Sequence, residues 1–213
     1  MRSPWQHSAQ VPVYITNILS REASNPLGAL PGPALTTLMP YAADPASAIR
    51  QIQVRVSRPA PPRLALEYEL LGDLAGVRIG EGDRGADANP DRPTDGLWRH
   101  TCMEVFVGRA TPGSYLEFNL APTGEWAAYR FSGYRAGMAP LTGIRAPRIE
   151  LRTQSDRLLL SAEVEIPADL TGDLRLGISA VIEDAQGQLG YWALRHAGDR
   201  PDFHHPDSFG FEI

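Results

Sequence analysis

From Leu97 to Arg135 the sequence reads LWRHTCMEVFVGRATPGSYLEFNLAPTGEWAAYRFSGYR, and its two-residue alternation of apolar and polar side chains fits pleated strands. In Thr101 to Val107 the residues Met103, Val105 and Val107 fall on one face, with Cys102, Glu104 and Phe106 on the other. In Tyr115 to Leu120 the same period sends Leu116, Phe118 and Leu120 one way and Tyr115, Glu117 and Asn119 the other. The turn Ala121-Pro122-Thr123-Gly124 breaks the ladder, and Glu125 to Phe131 reads as a third strand with Trp126, Ala128 and Arg130 on a common face. So short a connection makes the second and third strands antiparallel neighbours. If the register lets their polar faces meet, Glu117, Asn119 and Arg130 gather into one patch.

The same alternation recurs along the chain. Ile52, Val54 and Val56 alternate with Gln51, Gln53 and Arg55. Beyond Pro59-Ala60-Pro61-Pro62 the series Leu64, Leu66, Tyr68, Leu70 follows. Leu158 to Ile166 and Leu174 to Ile182 repeat the scheme, and Arg148 to Thr153, Tyr191 to His196 and Phe209 to Ile213 are shorter strand candidates. Gly80 to Asp95, rich in Gly, Asp, Asn and Pro, reads as a long surface loop beside the central motif. Only Asp44 to Arg50 shows helical spacing. Short strands between turn signals predict an all-β fold, an antiparallel β-sandwich. Residues 1–36 carry five prolines with little periodicity and read as an irregular or partly disordered arm, leaving 37–213 as one sandwich domain. A chain of 213 residues, 43% hydrophobic, suffices for a single core of this type.

Charge narrows the partners. The net charge is −5, and all 20 basic residues are Arg, scattered along the chain, which argues against nucleic acid. No apolar run reaches the roughly 18–20 residues that a membrane helix needs, and Val11 to Leu19 lacks the frame of a secretory signal, so a cytoplasmic location is expected. The single Cys102 excludes an intrachain disulfide and reads as a buried thiol.

The Leu97–Arg135 stretch, followed by Ala180-Val181-Ile182-Glu183, Tyr191-Trp192-Ala193-Leu194-Arg195-His196 and Pro201-Asp202-Phe203-His204-His205, resembles the DOMON-like domains related to family 9 carbohydrate-binding modules. The resemblance runs from about Thr37 to the C-terminus. It is carried by LW-x-HTC-x-E-x-F, EFN-x-x-P-x-G-x-W-x-x-Y-x-F and YWAL-x-H occurring in that order. It implies a β-sandwich that holds either a sugar or a haem on one sheet. The sugar-binding relatives clamp a terminal sugar between two tryptophans, beside a carboxylate six residues after the first and an Asn farther on. The matching positions are Trp98, Glu104, Asn119 and, as second clamp, Trp192. The haem-binding relatives supply an axial Met and His, for which Met138 and His196 are the matching pair, since His100 and Met103 would face opposite sides of one strand.

A saccharide needs flat aromatic surfaces for its C–H faces, with acceptors and bidentate donors around its hydroxyls. Trp98, Trp192, Glu104, Glu117, Asn119 and Arg130 supply that set, with His100, Tyr115, Trp126, Glu183 and His196 as secondary candidates. A plainer reading puts the carboxylates on a solvated outer face and the tryptophans in the core. His196, Asp202, His204, His205 and Asp207 have ligand chemistry, but adjacent histidines diverge on extended backbone, so turn and hydrogen-bonding roles are expected and no metal. Asp87 to Asp91 lacks the Gly and Glu of a calcium loop and reads as a turn. The expected function is therefore a non-catalytic ligand-binding module for a saccharide or similar polyol, without a cofactor. The alternatives are a haem-binding, b-type cytochrome-like domain and, after it, a glycoside-active enzyme built on Glu104 and Glu117.

Overall fold

Each alternating run identified in the sequence becomes a strand in a computed structural model that describes residues 33–42, 47–80, 91–111, 113–170 and 172–213. The strands are β1 (Ala34–Pro40), β2 (Ile49–Ser57), β3 (Arg63–Gly72), β4 (Cys102–Arg109), β5 (Tyr115–Leu120), β6 (Trp126–Phe131), β7 (Ala139–Pro140), β8 (Arg148–Thr153), β9 (Arg157–Glu165), β10 (Leu174–Glu183), β11 (Leu189–Ala193) and β12 (Phe211–Glu212). All named pairings are antiparallel. Single 3-10 turns at Leu74–Gly76, Leu97–Arg99 and Pro206–Ser208 are the helical elements among the described residues. None is long or apolar enough to cross a membrane.

The strand order is β7-β6-β5-β4-β10-β11-β1-β2-β3-β9-β8, with β12 beside β10. This continuous sheet curls on itself into a two-layer sandwich, and the fold at β1 makes the crossing: its length pairs with β2, and its end, Met39 and Pro40, pairs with Ala193 and Trp192 of β11. The sandwich core takes Ile52, Val54 and Val56 of β2, Leu64 to Leu70 of β3 and Leu158 to Val164 of β9 from the first layer. From the second come Met103, Val105 and Val107, Leu116, Phe118 and Leu120, and the inward residues of β10. These are the faces that the alternation assigns, because burial of one side of a pleat fixes the parity of the strand.

The second layer is unusual in burying both of its faces. On its outer side Leu97, Cys102, Phe106, Tyr115, Ala127, Tyr129, Phe131, Val181, Ala193, Phe203 and Phe209 form a second apolar cluster under the segments around 97–99, 131–138 and 201–210. Gly177 makes room for part of this covering, since a Cβ there would stand 3.3 Å from Phe106 Cβ and 3.5 Å from the ring of Phe209.

Two boundaries differ from the sequence reading. The first strand begins at Ala34, inside the stretch read as an arm, and its Leu38 is buried in the core; residues 1–32 lie outside the described residues. The helical spacing at Asp44 to Arg50 ends in strand, with Ile49 and Arg50 in β2, while 43–46 are not among the described residues. The same holds for most of the Gly80–Asp95 loop and of the Asp87–Asp91 turn.

Candidate functional site

Register decides which polar groups share the outer face of the second layer. Glu104 on β4 stands between Asn119 of β5 and Ser179 of β10, and the row is continued by Ala127 of β6 and Ala193 of β11. The neighbouring row sets Glu117 between Tyr129 and Phe106. A polar strip is thus laid across three strands, β5, β4 and β10, flanked by the small side chains of Ala127 on β6 and Ala193 on β11.

The strip floors a cleft of about 530 Å³. Its walls come mostly from loops: Trp98 and Arg99 from the 3-10 turn before β4, Arg135 and Met138 from the segment after β6, and Pro201, Phe203 and His204 from the C-terminal segment. Strands add Phe131, Val181, Leu189 and Tyr191. Gly96 starts the 3-10 turn at φ 81°, a left-handed conformation that a side chain would strain. The turn sets Trp98 edge-on to Tyr129, ring centres 5.9 Å apart, with the Arg99 guanidinium 5.9 Å over the indole.

Both floor carboxyls are buried, Glu104 at 3% and Glu117 at 5% exposure. Ser179 Oγ donates to Glu104 Oε2 at 3.0 Å, and Asn119 Nδ2 donates to Glu117 Oε1 at 2.8 Å. Asn119 in turn accepts the Cys102 thiol at 3.7 Å on Oδ1, so the buried cysteine serves this network. Burial, then the charge of Glu117, pushes the Glu104 carboxyl up to about 8. Burial likewise pushes Glu117 up to about 7, against the Asn119 hydrogen bond and the Arg135 charge. Lying side by side, the two titrate as a pair and hold protons where an ordinary carboxyl has none.

The covering segments are pinned by Asp202, whose carboxylate accepts from Arg135 Nη2 at 2.8 Å and Nε at 3.2 Å, from the Tyr134 hydroxyl and from the backbone N–H of His204. These donors, chiefly the hydrogen bonds, overcome its burial and hold the carboxyl below the usual range. His204 shares a hydrogen bond with the Tyr115 hydroxyl at 2.8 Å and stands 3.8 Å from Glu117. Burial pushes its imidazole down to about 4, so the ring is neutral at pH 7.

The structure therefore brings Trp98, Glu104 and Glu117 into one cleft, with Asn119 fully buried beneath them. Two principal candidates stand elsewhere. Arg130 pairs in register with Leu116 on the core-facing parity and turns out at the strand end, where it donates to Asp169 at 2.9 and 3.3 Å. Trp192 is opposite Ala180, packs into the sandwich core, and yields the outer face to its neighbour Tyr191.

Among the secondary candidates, Trp126 is core, while Tyr115 stacks on Phe131 and hydrogen-bonds His204 beside the cleft. His100 and Glu183 form a separate cluster with Arg78, at 2.7 Å each to the carboxylate. His196 donates through Nε2 to the Met39 carbonyl at 2.8 Å and is not among the lining residues. The pair Met138 and His196 is thus not assembled at the cleft, which only Met138 reaches. Among the described residues no group of three or more His, Cys, Asp or Glu is placed to hold a metal ion.

Arg99, Phe131, Arg135, Leu189, Tyr191, Phe203 and His204 complete the site and did not stand out as ligand contacts in the sequence. Arg99, Phe131 and Arg135 lie in the Leu97–Arg135 stretch, Tyr191 in YWAL-x-H, and Phe203 and His204 in the Pro201–His205 motif, so the resemblance marked their neighbourhood without singling them out.

With this geometry in hand, solved structures supply a fold counterpart. A presumed carbohydrate-binding protein from Bacteroides uniformis is similar over 84% of this chain and 85% of its own, with a TM-score of 0.59 and 15% sequence identity. A family 9 carbohydrate-binding module from Caldicellulosiruptor kristjanssonii is similar at a TM-score of 0.45 in its complex with cellotriose, at 10% identity over 76% of this chain and 72% of that one. The same source's module with glucose gives 0.41, at 10% identity over 68% and 66%. No family model matches the sequence, and no curated protein matches it. The chain is an all-β protein with the antiparallel sandwich fold of the Bacteroides protein.

Proposed function

We propose that the chain is a non-catalytic saccharide-binding module whose site is the cleft over Glu104 and Glu117. One observation carries this reading: a single concavity of about 530 Å³ has hydrogen-bonding carboxyls on its floor and Trp98, Tyr191, Phe131 and Phe203 in its walls. That volume lies within the roughly 300–1,000 Å³ of small-molecule sites, and aromatic walls above polar acceptors suit a ring with apolar faces and a hydroxyl edge. In this reading Trp98 and Tyr191, both in the cleft lining, serve as the paired clamp, and Arg135 and His204 meet the sugar's hydroxyls. The order of the three motifs supports kinship with DOMON-like domains, and the Bacteroides protein of the same fold is itself presumed to bind carbohydrate.

Isothermal calorimetry with a panel of mono- and disaccharides tests the reading. Binding is expected to at least one sugar, with a loss of tenfold or more in Trp98→Ala and in Glu104→Gln. Absence of heat with every sugar, or a Trp98→Ala variant that binds as well as the parent, overturns it. Unchanged chromogenic glycosides are expected alongside; turnover that disappears in Glu104→Gln overturns the non-catalytic assignment.

A further inference from the structure

Two buried carboxyls with no charged cation bonded to either, among the described residues, pose a charge problem, because an ionised carboxylate removed from water needs a counterion or several strong donors. Among the described residues Glu104 receives one side-chain hydrogen bond, from Ser179, and Glu117 one, from Asn119. A carboxylate offers about four acceptor positions, so most of their capacity is unspent, and both side chains line the cleft.

The cations nearby are occupied elsewhere. The Arg135 guanidinium is fixed by two hydrogen bonds to Asp202, and that of Arg99 lies over the Trp98 ring at the exposed rim. Arg130 is spent on Asp169, and Arg78 with His100 on Glu183. His204, the only ion-pair partner of Glu117 among the described residues, is neutral through burial and stands 3.8 Å away. The remaining titratable groups around the pair cannot help: Tyr68, reaching from the opposite layer to donate to the Glu104 backbone carbonyl at 2.8 Å, Cys102, Tyr115, Tyr129 and Tyr191 are neutral or, on ionising, negative.

A ligand can supply the missing charge. We propose that the saccharide taken by this cleft carries a free primary amine, its ammonium group seated against the Glu104 and Glu117 carboxyls. The inference rests on the saccharide reading above and narrows it to amino sugars that are not N-acylated. Three features converge on that class. An ammonium offers three donors to the unspent carboxylate acceptors. The aromatic lining of Trp98, Tyr191, Phe131 and Phe203 is compatible with a cation as well as with the apolar face of a sugar. The cleft is far larger than an ammonium alone requires, leaving room for the ring.

Binding then has a proton signature. An ammonium over the pair favours the ionised carboxyls, so a proton that the pair holds in the empty site leaves when the amine enters. Affinity for the amine rises from pH 5 to about pH 7, in step with the ionisation of the pair. A neutral sugar has no such dependence.

The test is calorimetry on the full chain at pH 6.5, repeated in two buffers of different ionisation enthalpy. Glucosamine, galactosamine and mannosamine are compared with their parent hexoses, their N-acetyl derivatives and ethanolamine. At least one amino sugar is expected to bind tenfold or more tighter than its parent and its N-acetyl form, with net proton release. The preference should vanish in the double variant Glu104→Gln, Glu117→Gln. Because the release is read on the unaltered protein, failure of a variant to fold does not hide the answer. Equal affinity for amino and parent sugars, or binding without proton release, overturns the amine assignment and leaves the saccharide module standing. Ethanolamine binding as tightly as the amino sugars overturns it too. Silence from all ligands brings down both readings.

Discussion

At the scale of single residues, the Glu104 and Glu117 pair makes stability depend on pH in an unusual direction. In the unfolded chain both carboxyls lose their protons near 4.5, whereas in the fold they keep them to about 8 and about 7. The native state therefore binds more protons than the unfolded state over that interval, and stability falls as pH rises through it. His204 works the other way but only below its ordinary value of 6.5, since its folded value is about 4. Between pH 6.5 and 8 the pair dominates among the groups with resolved shifts, the raised Cys102 thiol adding to it only at higher pH, and the midpoint of urea denaturation is expected to fall. Glu104→Gln, which keeps the shape and removes the charge, should flatten that slope and raise stability at pH 8.5 by roughly 1–3 kcal/mol. A slope as steep in the variant as in the parent would refute the account. Parity also governed what could be read from sequence: it put Glu104, Glu117 and Asn119 correctly on one face, because three alternating apolar residues in each strand identify the buried side. Trp192, matched as second clamp through the resemblance alone, packs into the core instead: Tyr191 and Trp192 are both aromatic, and only pairing with β10 shows which of the two faces outward. Arg130 was lost for a similar reason, since a core-facing position at a strand end can release a long side chain to solvent.

At the scale of elements, strands provide the floor and irregular segments provide the walls. Alternation can be read in a strand, but nothing in a loop's local pattern states which sheet face it covers. Hence Arg135, Phe203 and His204 emerged only with the fold. Their positions depend on Asp202, a nearly buried residue with four donors from two segments. Asp202→Ala leaves the Arg135 guanidinium and the His204 N–H without that acceptor, and is expected to cost about 1–3 kcal/mol. It should also weaken ligand binding, because both segments contribute walls to the cleft. Asp169→Ala is the comparison: it breaks the Arg130 pair at the surface and should leave stability within about 0.5 kcal/mol. Thermal denaturation of the two variants side by side decides the matter, and equal losses would contradict the clamp. The Asp202 contribution is present above the ordinary carboxyl range and disappears as pH falls through its lowered folded value, so the gap between parent and Asp202→Ala should narrow in acid.

At the scale of the whole molecule, the sandwich closes through one strand that the sequence placed partly outside the domain. The evenly spaced alternation of β2, β3, β9 and β10 was enough to establish two apolar layers, but Pro31, Pro33 and the short run before Pro40 concealed β1. Its burial alternates weakly, with Leu35 and Met39 exposed and Leu38 alone fully buried, so its role comes from long-range pairing that no local window contains. That pairing joins the layers: β1 holds β2 along its length, holds β11 at its end, and Tyr41 continues the contact through its N–H to the Tyr191 carbonyl at 2.8 Å. Tyr191 is also a wall of the cleft, so the seam that closes the core carries part of the binding surface. Two substitutions on one strand separate this role from strand propensity. Leu38→Ala removes a side chain at 1% exposure from the seam and is expected to cost about 2–5 kcal/mol. Leu35→Ala, at 57% exposure three residues away, should change stability by no more than about 0.5 kcal/mol. Since Leu38 touches no ligand, any loss of sugar binding in its variant must follow the fraction unfolded, and saturating ligand should raise the denaturation midpoint of that variant as it does the parent's. A Leu38→Ala protein as stable as Leu35→Ala would mean that the layers are held together without β1, and that the seam is not the closure of this fold.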